Sequence, residues 1–321
     1  SVRSSNECSS EGKPDMSSET AEGTGRRHND GVSIAAPAPR TADNGGKNSE
    51  LTFTIISWAV LLVFAILWLI PSLWALKTSL TSNATSSLGA EAILADWNLT
   101  LGSYATLLKG GDIWNWYLAS VITSVITVLL TVFFGSMAAY ALSRLRFRGR
   151  RLVFLLMIGG IMIPPQVLIV PVFQELNAVG LLNTYWSVIL PQVPAVIAVF
   201  VFKQFFDGLP KDFEEAARID GAGFWTTYRT IILPLSRPVI GAMSIVTFVG
   251  VWNNLILPLF VLSNPKLMTI PVGLATVQGS YGQRLSDIQA SSILGALPLV
   301  ILFLIFQRRI VEGVAGSGLK G

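Results

Sequence analysis

The chain has 321 residues, 51% of them hydrophobic and only 13% charged, about half the charged share of an ordinary soluble protein. Its apolar residues come in long runs, several of them near the roughly 20 residues that a helix needs to cross a bilayer, so a soluble core describes the chain poorly. The formal net charge is +4, and the only cysteine and histidine are Cys8 and His28, which excludes an internal disulfide and a Cys/His metal site in the apolar part.

Residues 1–50 are rich in Ser, Gly, Asp, Glu and Arg and contain no apolar run. Such a segment buries too little surface to offset its ordering entropy and is read as a disordered tail. It lacks the apolar stretch of a signal peptide within its first thirty residues. Residues 51–321 then form the membrane domain.

Six spans are expected, at 53–76, 117–142, 152–173, 185–206, 238–262 and 290–306. The first carries Trp58, Trp68 and Trp74. Between the second and third lies S-R-L-R-F-R-G-R-R, with Arg144, Arg146, Arg148, Arg150 and Arg151. The third contains Pro164, Pro165 and Pro171, and the fourth is interrupted by Pro191 and Pro194. With the N-terminus inside, 19 Lys and Arg fall on the cytoplasmic side and four outside, namely Lys77, Lys109, Lys266 and Arg284. The bias predicts that both termini and the loop 207–237 face the cytoplasm.

No ionisable residue sits well inside a span; Lys203 and Glu175 lie near ends. Ion-coupled carriers usually keep such groups for function, which disfavours a stand-alone secondary carrier. The chain has no phosphate-binding loop, so an ATP-driven process needs a separate ATP-binding subunit. It has no catalytic constellation either: no H-E-x-x-H motif and no serine with a histidine partner.

The charged segment between the fourth and fifth spans, 212–234, reads D-F-E-E-A-A-R-I-D-G-A-G-F-W-T-T-Y-R-T-I-I-L-P. Asp212 with Glu215 predicts a capping box at a helix start. Gly221 predicts a left-handed helix end. A second helical piece starts at Gly223 and stops at Pro234. On the residues alone, a plain connection between spans and a segment presented to a partner stand level.

The string E-A-A-R-I-D-G, nine residues, then I-I-L-P resembles the EAA loop of binding-protein-dependent ABC importer permeases, whose pattern is E-A-A-x3-G-x9-I-x-L-P. Glu215, Ala216, Ala217, Gly221, Ile231, Leu233 and Pro234 fill every fixed position. Y-A-L-S-R-L-R-F-R-G-R-R (140–151), L-N-T-Y-W-S-V-I-L-P (182–191), V-W-N-N-L-I-L-P-L (251–259), T-I-P-V-G-L (269–274) and E-G-V-A-G-S-G-L-K-G (312–321) look like the maltose-type carbohydrate importers, and among these like the second, six-span permease subunit. Two departures stand out. Residues 1–50 have no counterpart in the family pattern, and Asn254 stands where many relatives carry an acidic residue.

The resemblance implies an all-α membrane protein of six transmembrane helices with the type I ABC importer permease fold and cytoplasmic termini. It implies a multi-pass protein of a bacterial or archaeal cytoplasmic membrane, contacting lipid and no nucleic acid. Its partners would be a second permease subunit, two ATP-binding subunits and an extracytoplasmic solute-binding protein. No cofactor or metal is expected in this chain; ATP and Mg would be held by the ATPase partner. Glu214, Glu215, Ala216, Ala217, Arg218, Asp220, Gly221 and Pro234 would couple to that ATPase. Trp252, Asn253, Asn254, Gln166 and Gln192 are candidates for the solute pathway, and Gln278 and Tyr281 for a loop that meets the binding protein. The C-terminal tail would reach between the ATPase subunits, as an extended insert or a frayed end. The expected solute is a mono-, di- or oligosaccharide, with glycerol phosphate, a glycerophosphodiester or a polyol as alternatives.

Overall fold

The structure, a computed structural model, describes residues 44–82, 99–110, 112–281 and 284–318, with the backbone alone for 44–49, 277–281 and 308–318. The chain separates into two compact units, 1–60 and 61–321. The first is described from residue 44 on, where it is helical. Residues 44–50, expected to be tail, therefore belong to helix α1, Asn44–Ser79; the rest of the tail lies outside the described residues.

In the second unit the elements after α1 are helical throughout. They are α2 (Gly102–Lys109), α3 (Asp112–Arg144), α4 (Arg150–Ile161), α5 (Ile169–Ala178), α6 (Tyr185–Ile189), α7 (Val196–Asp207), α8 (Asp212–Ile219), α9 (Phe224–Thr227), α10 (Leu233–Leu235), α11 (Arg237–Trp252), α12 (Ile256–Val261), α13 (Ile270–Tyr281) and α14 (Leu285–Gly318). The C-terminal segment, expected to be extended or frayed, is helical along its backbone to Gly318.

Among the described residues, three helical stretches are long and apolar enough to cross a membrane alone: 50–79, 112–144 and 285–307. Three further crossings require bent pairs. The pair 150–161 and 165–178 bends by 94°, 185–192 and 196–207 by 43°, and 224–235 and 237–252 by 76°. The first two bends fall where Pro164–Pro165 and Pro191 with Pro194 remove backbone donors. At the first, Pro164, which precedes a proline, is extended, with ψ 127°; at the second, Leu190 and Val193 stay helical and Ala195 is the extended residue, with ψ 100°. The span 185–206, expected to be interrupted at Pro191 and Pro194, is a broken helix, and so is the proline-bearing span 152–173. The expected span 238–262 is also interrupted, between Trp252 and Ile256, before Pro258.

Helix α3 is the beam that the others lean on. Its buried side is lined with small and hydroxylic residues, including Ala119, Ser120, Thr123, Ser124, Thr127, Thr131, Ser136 and Ala139, which let neighbouring backbones approach closely in a membrane helix bundle. An added Cβ at Gly135 would lie 3.5 Å from the Cβ of Ala198 on α7. Three of the hydroxyls meet points where another helix begins or breaks. Ser120 Oγ accepts from Ile270 N at the start of α13 (2.8 Å), Thr131 Oγ1 donates to Val193 O at the α6–α7 break (3.2 Å), and Ser136 Oγ bonds Tyr228 OH (2.7 Å). Each satisfies a group that apolar surroundings would leave costly.

The largest apolar cluster joins α3, α7, α11 and the turn that follows α9, through Tyr140, Phe202, Phe206, Tyr228, Ile232 and Met243. Tyr228 begins a π-helical turn, Tyr228–Ile232, so the second piece of the charged segment widens, passes Pro234 and ends at Leu235 rather than stopping at the proline. In a regular helix the Pro234 ring would strike the carbonyl four residues earlier, at position 230; the wide turn lies there. Tyr228→Phe is expected to lower stability by only about 1 kcal/mol, because Ser136 Oγ keeps Phe133 O as an acceptor (3.2 Å). The thermal midpoint of the detergent-solubilised protein measures this.

Candidate functional site

The segment 212–234 folds as α8, a tight turn and a second helical piece. Its start differs from the capping-box expectation. Lys211 is the N-cap, its carbonyl accepting from the N–H groups of Glu214 (2.9 Å) and Glu215 (3.0 Å), and no side chain caps the helix. Asp212, Glu214 and Glu215 instead put negative charge in the first turn, where the helix dipole favours it.

The two adjacent glutamates point to different environments. Glu215 is exposed. Glu214 is buried, and its Oε1 lies 2.9 Å from Arg144 Nε of α3, with side-chain exposures of 8% and 5%. The two atoms are in ionic contact without an aligned hydrogen bond. The two alanines divide in the same way: Ala217 is buried beside Glu214, while Ala216 lies on the exposed side with Phe213 and Ile219. The spacing 213, 216, 219 places an apolar stripe along the outer face, and Ile219 is 87% exposed.

The exit turn follows the expectation for Gly221. Its φ is +78°, a value that costs an L-residue about 1–2 kcal/mol. Ala222 N donates to Ala217 O (2.8 Å) and Gly221 N to Arg218 O (3.0 Å), the bond pair of a Schellman end. Asp220 is the C-cap. The Arg218 guanidinium lies 5.3 Å from the centre of the Phe224 ring, so it spans the turn and steadies the second piece. Gly223 caps α9, and Pro234 is exposed beyond the π turn.

A second site forms at the helix breaks. Gln166, on the one-turn helix Pro165–Leu168, Gln192, before the α6–α7 break, and Asn254, between α11 and α12, line a cavity of about 190 Å³ with Pro165, Ile169, Pro191 and Leu257 among its walls. Among the described residues none of its lining groups is charged. Asn254 Nδ2 donates to Gln192 Oε1 (2.9 Å), and Gln192 Nε2 donates to Val188 O (2.7 Å). Trp252 and Asn253 do not join them. Trp252 is buried, stacks on Phe248 and donates from Nε1 to Gly295 O (3.2 Å), while Asn253 Nδ2 bonds back to Val249 O (3.0 Å). Trp252 thus joins two helices, while Asn253 is exposed and bonds only its own helix. The side chains of Gln278 and Tyr281 lie outside the described residues.

Sequence reasoning missed Arg144. Five arginines in nine residues were read together as cytoplasmic charge, and only the fold separates the buried Arg144 from the exposed Arg146, Arg148 and Arg151.

Residues 131–311 match the family model described as binding-protein-dependent transport system inner membrane component. The chain is 38% identical over 280 residues to an arabinooligosaccharides transport system permease protein of Halalkalibacterium halodurans, covering 84% of this chain and 99% of that one. It is 34% identical over 265 residues to a trehalose/maltose transport system permease protein of Thermococcus litoralis, covering 81% and 94%. It is 32% identical over 272 residues to a diacetylchitobiose uptake system permease protein of Streptomyces coelicolor, covering 84% and 89%. The fold matches a chain in the crystal structure of a bacterial ABC transporter involved in the import of the acidic polysaccharide alginate, with a TM-score of 0.69, 21% identity and coverage of 81% and 97%. The chain belongs to the family of inner membrane components of binding-protein-dependent transport systems.

Proposed function

We propose that the chain is one of the two membrane subunits of an ATP-driven importer for a neutral sugar, from a monosaccharide to an oligosaccharide, and that 212–234 faces the cytoplasm and docks α8 into an ATPase subunit. Two such ATPase subunits would bind ATP and Mg, and an extracytoplasmic binding protein would deliver the solute. The observation that carries this reading is the division of α8 into two faces. Glu214 and Ala217 anchor it to the rest of the molecule, while Phe213, Glu215, Ala216 and Ile219 stay exposed, next to a glycine-terminated turn. A connection that only joined two spans has no need of an apolar outer face.

The solute reading is supported by the names of the relatives and by the amide-lined, uncharged cavity. Gln166, Gln192 and Asn254 offer the donors and acceptors that suit hydroxyl groups. A phosphate-bearing solute would meet no cation among those lining residues.

Reconstitution of the full complex in proteoliposomes tests both parts. ATP-driven accumulation of a neutral oligosaccharide delivered by the cognate binding protein is expected, with no flux through this chain alone. ATP-independent transport by the single chain would overturn the reading; accumulation of a phosphodiester instead of a sugar would overturn the solute class.

A further inference from the structure

Arg144 ends α3 and reaches two other elements at once. Its Nη2 donates to Phe206 O (2.5 Å) and Leu209 O (2.9 Å), carbonyls at the C-terminal end of α7, and its Nε lies 2.9 Å from Glu214 Oε1 on α8. The surroundings lock the same junction. Ser143 Oγ donates to Asp207 Oδ1 (2.5 Å), Lys203 Nζ donates to Asp207 Oδ2 (2.5 Å), and Arg150 Nη1 bonds the carbonyls of Ser143 and Leu145 (both 3.3 Å). The 33-residue α3, the second half of the broken span that ends in α7, and the short charged helix therefore share one buried guanidinium.

A buried ion pair is poor value for stability alone, since well-packed apolar side chains of similar size do as well or better. What it provides is geometry. The planar guanidinium fixes the direction of its two hydrogen bonds, one to Phe206 O at the negative end of the α7 dipole and one to Leu209 O just past that helix, while its contact with Glu214 is ionic. Nothing else in α8 is anchored by charge: Asp212, Glu215, Arg218 and Asp220 are exposed.

We propose that Arg144 is a positioning residue for coupling: through its buried contact with Glu214 it fixes α8 to the ends of α3 and α7, so that a displacement of α8 is delivered to both membrane helices as one body. The motif glutamate, Glu215, is left for the partner, and its neighbour Glu214 serves the chain itself. This rests on the reading of 212–234 as the ATPase-docking segment. Mutations along such a connection shift coupling by about 2- to 30-fold.

The test uses the whole reconstituted complex and the ratio of solute taken up to ATP hydrolysed. In Glu214→Gln the side chain keeps its shape and loses its charge. ATP hydrolysis by assembled complexes is expected to persist while uptake per ATP falls about threefold to tenfold. A merely structural role would reduce the yield of complex and leave that ratio unchanged, which would overturn the proposal. If the unsubstituted complex shows no ATP-driven uptake, the functional reading itself falls. A second measurement does not depend on the variant assembling. In a Cys8→Ser background, spin labels at Asp220→Cys and at Phe134→Cys, an exposed position on α3, are expected to report the same distance in the nucleotide-free and ATP-bound complex. A distance that differs between the two states would mean that α8 pivots against α3, and would overturn the proposal.

Discussion

Arg144→Ala is expected to cost about 3–5 kcal/mol of stability, the loss seen when one partner of a buried ion pair is removed. The Glu214 carboxylate, 8% exposed, would be left without a counter-charge, and Phe206 O and Leu209 O would each lose a donor. The neighbouring pair is the control. Lys203 Nζ to Asp207 Oδ2 is also short, but the Asp207 carboxylate is 39% exposed and stays hydrated when unpaired; Lys203, 16% exposed, also lies over the Phe154 ring at 4.7 Å, so Lys203→Ala is expected to cost about 1 kcal/mol. Thermal unfolding of the two variants in the same detergent measures the difference. Equal shifts would show that burial, the basis of the contrast, does not govern this junction.

The second large effect is steric. A Cβ at Gly273, on α13, would lie 2.2 Å from Cδ2 and 2.4 Å from Cε3 of Trp116 on α3. The indole has little room to move: its Nε1 donates to Pro265 O (2.8 Å), and it is buried against Ile113, Trp252, Ile270 and Leu274. Gly273→Ala is therefore expected to lower stability by about 1–3 kcal/mol, the usual cost of overpacking a filled core. Gly241, where an added Cβ meets nothing within 4 Å, is the comparison; alanine there is expected to be near neutral or slightly stabilising in a helix interior. Pairing Gly273→Ala with Trp116→Leu is expected to cost less than the two separate losses combined, which a double-mutant cycle of thermal midpoints reads directly.

Much of this architecture is written locally. Apolar runs mark the crossings, and Gly221 and the surrounding E-A-A-R-I-D-G mark the turn, because a left-handed helix end needs a residue without a Cβ. The prolines mark where helices break, although the 94° bend at Pro164–Pro165 and the interruption after Trp252 exceed what a count of apolar residues conveys. Pairings across the chain are not local. Arg144 and Glu214 are 70 positions apart, and each has a sufficient explanation nearby, as inside positive charge and as a first-turn acid. The same limit explains Trp252 and Asn253. Their residue types suit a sugar, but only packing shows that the indole N–H goes to Gly295 and the amide to its own helix. Gln192 and Asn254 come together because two helix breaks meet, which their separation of 62 residues hides.

The division of α8 into an anchored and an exposed face also sharpens which residues matter to a partner. Glu215, Ala216, Phe213 and Ile219 are available on the outer face, and Gly221 sets the angle at which the second piece leaves. The π turn at Tyr228–Ile232 then carries the chain back into the apolar cluster of α3, α7 and α11. On the proposed docking, a push on the outer face would reach the membrane helices by two routes, through the Arg144 junction and through Tyr228.

In the proposed complex α8 sits against an ATPase subunit. A photo-activated cross-linking side chain at Ile219, 87% exposed at the end of that helix, tests it in the assembled complex. A cross-linked product of this chain with the ATP-binding subunit is expected; products with lipid or with the extracytoplasmic binding protein alone, and none with the ATP-binding subunit, would refute the docking.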